Sequence, residues 1–200
     1  MDLTRNSKNQ SELLTMSASL EIDITGLTRR AAQVQKLLRP LRSKFPVACE
    51  VCKRQFMNCK VIAAHDGLPQ SHFRDRWFST FAEDIKAQYF ELWQLTEDET
   101  SLKLMRAYLN ISIFDRVSRQ YEELLSVHSD PYELGKEPQC LYKRGPHIHV
   151  HQTAHPMPKC HFPMNYLELD RVLANVDNIT EAIEKAVEVV KYEVVERFAT

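Results

Sequence analysis

Apolar and polar positions along the chain change period several times, and each change predicts an element. Leu20, Ile22 and Ile24 alternate with Glu21, Asp23 and Thr25, the period of a half-buried strand, and Gly26 closes it. Thr28 then fits a helix N-cap, with Ala31, Val34, Leu37, Leu38 and Leu41 following at helical spacing until Pro40 ends or kinks the helix. Val61 to Ala64 reads as a short strand stopped by Asp66-Gly67. In the aromatic run from Phe73 to Leu95, Phe78, Phe81, Ile85, Tyr89, Leu92 and Trp93 have the spacing of a helix with one wide apolar face. Leu109, Ile111 and Ile113 alternate again, and a strand from Glu123 to His128 can return antiparallel across Asp115 to Gln120.

The C-terminal pattern is the strongest. Asn178 and Glu181 fit a capping box, and Ile179, Ile183, Ala186, Val187, Val190, Val194 and Phe198 form an apolar stripe. A shorter helix is expected over Tyr166 to Leu173. The elements do not alternate as a doubly wound sheet would require. The expected fold is therefore α+β, a small, mainly antiparallel sheet packed by helices, including a long amphipathic helix at the C-terminus. Residues 1–17 are expected to be a flexible N-terminal segment, and 18–200 a single α+β domain.

Composition narrows the function only slightly. The chain is 44% hydrophobic and 26% charged, enough apolar material for a core that needs neither disulfide nor metal to fold. A net charge of −1 supplies no global attraction to nucleic acid or membrane. Locally the balance breaks: Arg29, Arg30, Lys36, Arg39, Arg42 and Lys44 fall in a stretch without an acid, a candidate contact for nucleic acid or an acidic partner. There is no signal-like apolar region near the N-terminus and no run of membrane-spanning length, and the five cysteines are odd in number and irregularly spaced. These features suit reduced thiols and a cytoplasmic setting. With four glycines, the chain has no glycine-rich phosphate loop.

Candidate chemistry concentrates in KRGPHIHVHQTAHPMPKCH, residues 143–161, which holds five of the eight histidines. His147, His149 and His151 stand at strand spacing around Ile148 and Val150, so their imidazoles are expected on one face, about 6.6 Å apart at Cα for each two-residue step. They can hold a divalent metal such as zinc, with His161 or a neighbour completing the set. Lys143 and Arg144, before the Gly145-Pro146 turn, and Lys159 after it, are candidates to hold an anion.

The run also resembles the motif of the histidine triad nucleotide hydrolases and transferases, in which histidines alternate with apolar residues. The resemblance covers His147 to Thr153, with Gln152 and Thr153 departing from the final apolar pair. It implies that His149 is the nucleophile, with His147 beside it. Cys49-x-x-Cys52 with Cys59 is a second possible metal cluster, although cysteines packed in a core suit the spacing better.

Two functions follow as expectations. The first is an accessory or binding subunit of a larger intracellular, bacterial-type assembly, docking on another protein through the basic helix or the aromatic segment. The alternative is a metal- or phosphate-dependent enzyme of hydrolase or phosphotransferase type, centred on His147, His149 and His151.

Overall fold

The computed structural model describes residues 20–42, 47–54, 58–67, 76–132, 143–150, 160–163 and 169–199, with the side chains of Lys53, Arg54, Cys160, His161, Pro163, Leu169 and Phe198 left out. Its strands are β1 (Glu21–Asp23), β2 (Ala48–Arg54), β3 (Cys59–His65), β4 (Phe78–Ser79), β5 (Ile85–Leu95), β6 (Ser101–Asp115), β7 (Gln120–Ser129), β8 (His147–Val150) and β9 (Cys160–Pro163). All join one antiparallel sheet in the order β2-β3-β5-β6-β7-β8-β9, with β1 paired to β6 and β4 to β5. The helices are α1 (Leu27–Leu37), a short α2 (Leu169–Val172) and α3 (Val176–Val190). The last runs on through a π-helical turn, Lys191–Val195, into Glu196–Phe198. The fold is α+β and mostly sheet. No helix among the described residues is long and apolar enough to cross a membrane.

One sheet face builds the main core. Ile62, Ala64, Ala87, Tyr89, Trp93, Leu109, Ile111 and Val127 join Leu27, Ala31 and Val34 of α1 and Ile179, Ile183, Ala186, Val187 and Val190 of α3 in one buried cluster. At its centre is a polar knot. Glu91 is fully buried and accepts from Arg30 Nη2 at 2.6 Å, Tyr89 Oη at 2.6 Å and Trp93 Nε1 at 3.0 Å. Arg30 Nη1 donates to Thr180 Oγ1 at 2.5 Å, so one network ties α1, β5 and α3 together. Burial acts most strongly against the Arg30 charge, but the Glu91 carboxylate and its hydrogen bonds outweigh it and raise the guanidinium pKa.

Three expectations change here. The run from Phe78 to Leu95 is not helical; it forms β4 and β5. β5 is central and buried on both faces, Tyr89 and Trp93 in the main core and Phe90 and Leu92 against Val61 and Ala63 on the other face. Apolar side chains on both faces erase the two-residue alternation and leave a spacing that imitates a helix. The cap of α3 is also one turn earlier than the capping box suggests. Asn175 accepts from the backbone N–H of Asn178 at 2.9 Å, while Asn178 Nδ2 donates to the Arg171 carbonyl at 2.6 Å. Similarly, α1 starts at Leu27 and not after a Thr28 cap.

The other sheet face carries the histidines. In register across it lie Phe90, Tyr108, His128 and His147, and beside them Gln88, Asn110, Ser126 and His149.

Candidate metal centre

Antiparallel pairing of β7 with β8 sets His128 directly opposite His147 and Ser126 opposite His149. Directly opposed residues share a face, and His149 follows His147 by one strand period. All three imidazoles therefore converge by backbone register alone. Their ring centroids are 5.8 Å apart for His128–His147, 4.2 Å for His128–His149 and 4.8 Å for His147–His149. One ring nitrogen from each lies within 4.8 Å of those of the other two. Zinc–nitrogen bonds of about 2.0–2.1 Å in a tetrahedron require separations of about 3.4 Å, so the ring nitrogens that are farthest apart must draw together to share an ion.

His147 is 1% exposed and its Nδ1 lies 2.9 Å from the Gly145 carbonyl. A carbonyl only accepts, so Nδ1 carries the proton and Nε2 of the neutral ring keeps its lone pair. Metal-bound histidines are typically oriented in this way, with the second nitrogen donating to a carbonyl or carboxylate.

The approach to β8 is braced against the end of β7. Ser129 Oγ donates to the Arg144 carbonyl at 3.0 Å, Arg144 Nε to the Pro131 carbonyl at 2.9 Å, and the Asp130 N–H to the Lys143 carbonyl at 3.1 Å. Next to the histidines, Asn110 Nδ2 donates to Gln88 Oε1 at 2.9 Å, and Asn110 Oδ1 is buried without a hydrogen-bond partner among the described residues.

The expected site is thus assembled differently. His147 and His149 are in it, and the third described member is His128, 19 positions before His147. The sequence does place His128 on a strand that can pair in the same sheet; nothing in it fixes which residue His147 meets. His151 and Lys159 lie outside the described residues. The backbone of His161 pairs with His149 in β9, while its side chain is not described. Lys143 and Arg144 are half-buried, and Arg144 uses its Nε to brace the turn, so it does not present the whole guanidinium to an anion.

The basic segment divides. Arg29, Lys36, Arg39 and Arg42 are exposed, but Arg30 is 2% exposed and turned inward onto Glu91, which removes it from any docking surface. A helix packed on a sheet must turn one side to the core, and Arg30 is on that side with Leu27, Ala31 and Val34. In the aromatic segment Phe78, Tyr89 and Trp93 are buried, Trp77 is half-buried and Phe81 is exposed.

Cys49 and Cys52, three apart on β2, fall on opposite faces: Cys49 packs against the main core and Cys52 against the cluster of Val61 and Ala63. They cannot grip one ion. Neither is in a disulfide, nor is buried Cys59. Burial first, and the Glu91 charge second, push the Cys49 pKa up to about 12.

A second polar group occupies the β2–β3 edge. The Gly67 N–H donates to His65 Nδ1 at 3.1 Å, His65 Nε2 is 3.6 Å from Glu50 Oε2, and Arg76 pairs with Glu50. Comparison of the chain with protein-family models, curated proteins and solved structures finds no match. The class defined by fold and site is an α+β protein with a three-histidine cluster that could hold a metal ion.

Proposed function

We propose that the protein is a metal-dependent enzyme, of hydrolase type, in which His128, His147 and His149 hold a divalent transition ion. The convergence of three imidazole nitrogens within 4.8 Å on a rigid sheet carries the reading. Three imidazoles are the donor set of catalytic zinc sites, where a fourth position is left for water or substrate. Imidazole also suits copper, nickel and iron, and zinc comes first because it needs no redox partner. The His147 tautomer, fixed by the Gly145 carbonyl, gives further support. A cytoplasmic setting fits Cys49, Cys52 and Cys59 standing outside any disulfide.

Metal analysis of the untagged protein, beside a His128→Ala/His147→Ala double variant, tests this reading. Near-stoichiometric metal in the parent and none in the folded variant is expected. A parent that neither retains nor takes up zinc, cobalt or copper refutes it. Phosphorylation of a metal-free parent at His149 would instead favour the phosphotransferase alternative.

The docking reading retains one supporting observation. Arg29 and Lys36, about two turns apart on α1, and Arg39 and Arg42 in the turn after it are exposed, and none joins an ion pair among the described residues. They suit an acidic protein partner or a phosphate backbone. Salt-sensitive retention on heparin, lost when all four become glutamate, supports that surface; unchanged retention argues against it.

A further inference from the structure

A ligand ring holds a metal well only if it cannot turn away. His147 is fixed by its bond to Gly145. His128 is enclosed by rings, with His149 on one side at 4.2 Å and Tyr108 on another, edge-on at 4.1 Å. Tyr108 stands directly opposite His128 in the β6–β7 register. Its hydroxyl donates to Asp130 Oδ1 at 2.8 Å, and Arg106 Nε lies 3.3 Å from the same oxygen. The Asp130 N–H, in turn, donates to the Lys143 carbonyl in the turn that leads to His147. Asp130 thus joins, through one residue, the aromatic ring that backs His128 and the backbone that delivers His147.

We propose that Tyr108 and Asp130 are positioning residues of the three-histidine metal centre, an inference that rests on the metal-binding reading above. Asp130 locks the Tyr108 ring; the ring blocks rotation of His128 away from His147 and His149; the metal then meets three ligand rings already gathered on one face of the sheet. Neither residue is a ligand. Stability is a poor alternative reason for the arrangement. Arg106 is 48% exposed at its side chain, and ion pairs that open to water contribute little to folding.

The test is competition for Zn(II) against a chromophoric chelator, with the Co(II) absorption spectrum as a second readout, in parent, Asp130→Ala, Asp130→Asn, Tyr108→Leu and Tyr108→Phe. Asp130→Ala and Tyr108→Leu are expected to weaken Zn(II) about 10–100-fold, the usual loss when a supporting partner is removed. They should also change the Co(II) bands, because the His128 ring changes its angle to the ion. Asp130→Asn keeps an acceptor for the tyrosine hydroxyl and is expected to restore both affinity and spectrum. Tyr108→Phe keeps the ring but frees it from Asp130, and should fall between. Circular dichroism identifies any variant that fails to fold, and the Asn and Phe variants keep the test open in that event.

If the parent binds Zn(II) and every folded variant binds it equally with the same Co(II) spectrum, the positioning role is overturned and the metal centre stands. If the parent binds neither ion, the metal reading itself falls and this inference goes with it.

Discussion

Replacing Arg30 with methionine removes the positive charge from a carboxylate that has no access to water. Glu91 is 0% exposed and receives three contacts from Arg30, Nε at 3.2 and 3.1 Å and Nη2 at 2.6 Å. The variant keeps only the neutral donors of Tyr89 and Trp93 on that carboxylate. Breaking a buried pair from one side costs about 3–5 kcal/mol, because a buried charge is left without its partner. Against total stabilities of about 5–15 kcal/mol, that loss is large. It corresponds to roughly 6–20 °C in Tm for a chain of this size.

Adding Glu91→Gln should return part of the loss. The neutral amide still offers an oxygen to Tyr89 and Trp93 and no longer needs a counter-charge, so the double variant should be more stable than Arg30→Met alone. Urea unfolding followed by tryptophan fluorescence measures both, since Trp93 donates directly to Glu91. A loss below about 1 kcal/mol in Arg30→Met would refute the reasoning, as would a double variant equal to the sum of the singles.

Four further outcomes are expected. Zinc affinity should fall as pH drops through the imidazole range, about 6.5, since each ligand must lose its proton to bind; competition titrations from pH 8 to 5.5 check this. Cys49 should resist iodoacetamide at pH 8 while half-buried Cys52 reacts faster, read by mass spectrometry of the two sites. The folded Cys49 thiol keeps its proton up to about 12, against an ordinary value of 9.0, so its contribution to stability is full below 9.0 and declines as pH rises through that window. A Cys49→Ala variant should lose that alkaline slope. Hydrogen bonds from Ser118 and Val117 hold the Asp115 carboxyl below its ordinary 3.8, so its contribution is present above that pH and is surrendered as pH falls through the lower, folded value. Acid titrations of Asp115→Ala should show a smaller loss on acidification than the parent.

Local signals made much of the architecture legible. Strand alternation at Leu109 to Ile113, the return strand ending at His128 and the amphipathic stripe of α3 each depend on contacts that repeat at a fixed period along the sequence, and each element is present. The same logic failed at β5. Periodicity reports which side is wet, and a strand buried on both sides has no wet side, so Tyr89, Leu92 and Trp93 imitated a helix.

For the site, spacing alone put His147 and His149 on one face, because a strand repeats every two residues. The contribution of His128 was decided by the β7–β8 register, and the inward turn of Arg30 by the packing of α1 over Glu91. Cys49 and Cys52, close in sequence, were parted by the sheet itself. A residue's own face is a local property of backbone geometry. Its partner across strands is fixed only when the whole sheet selects the register that buries its apolar face.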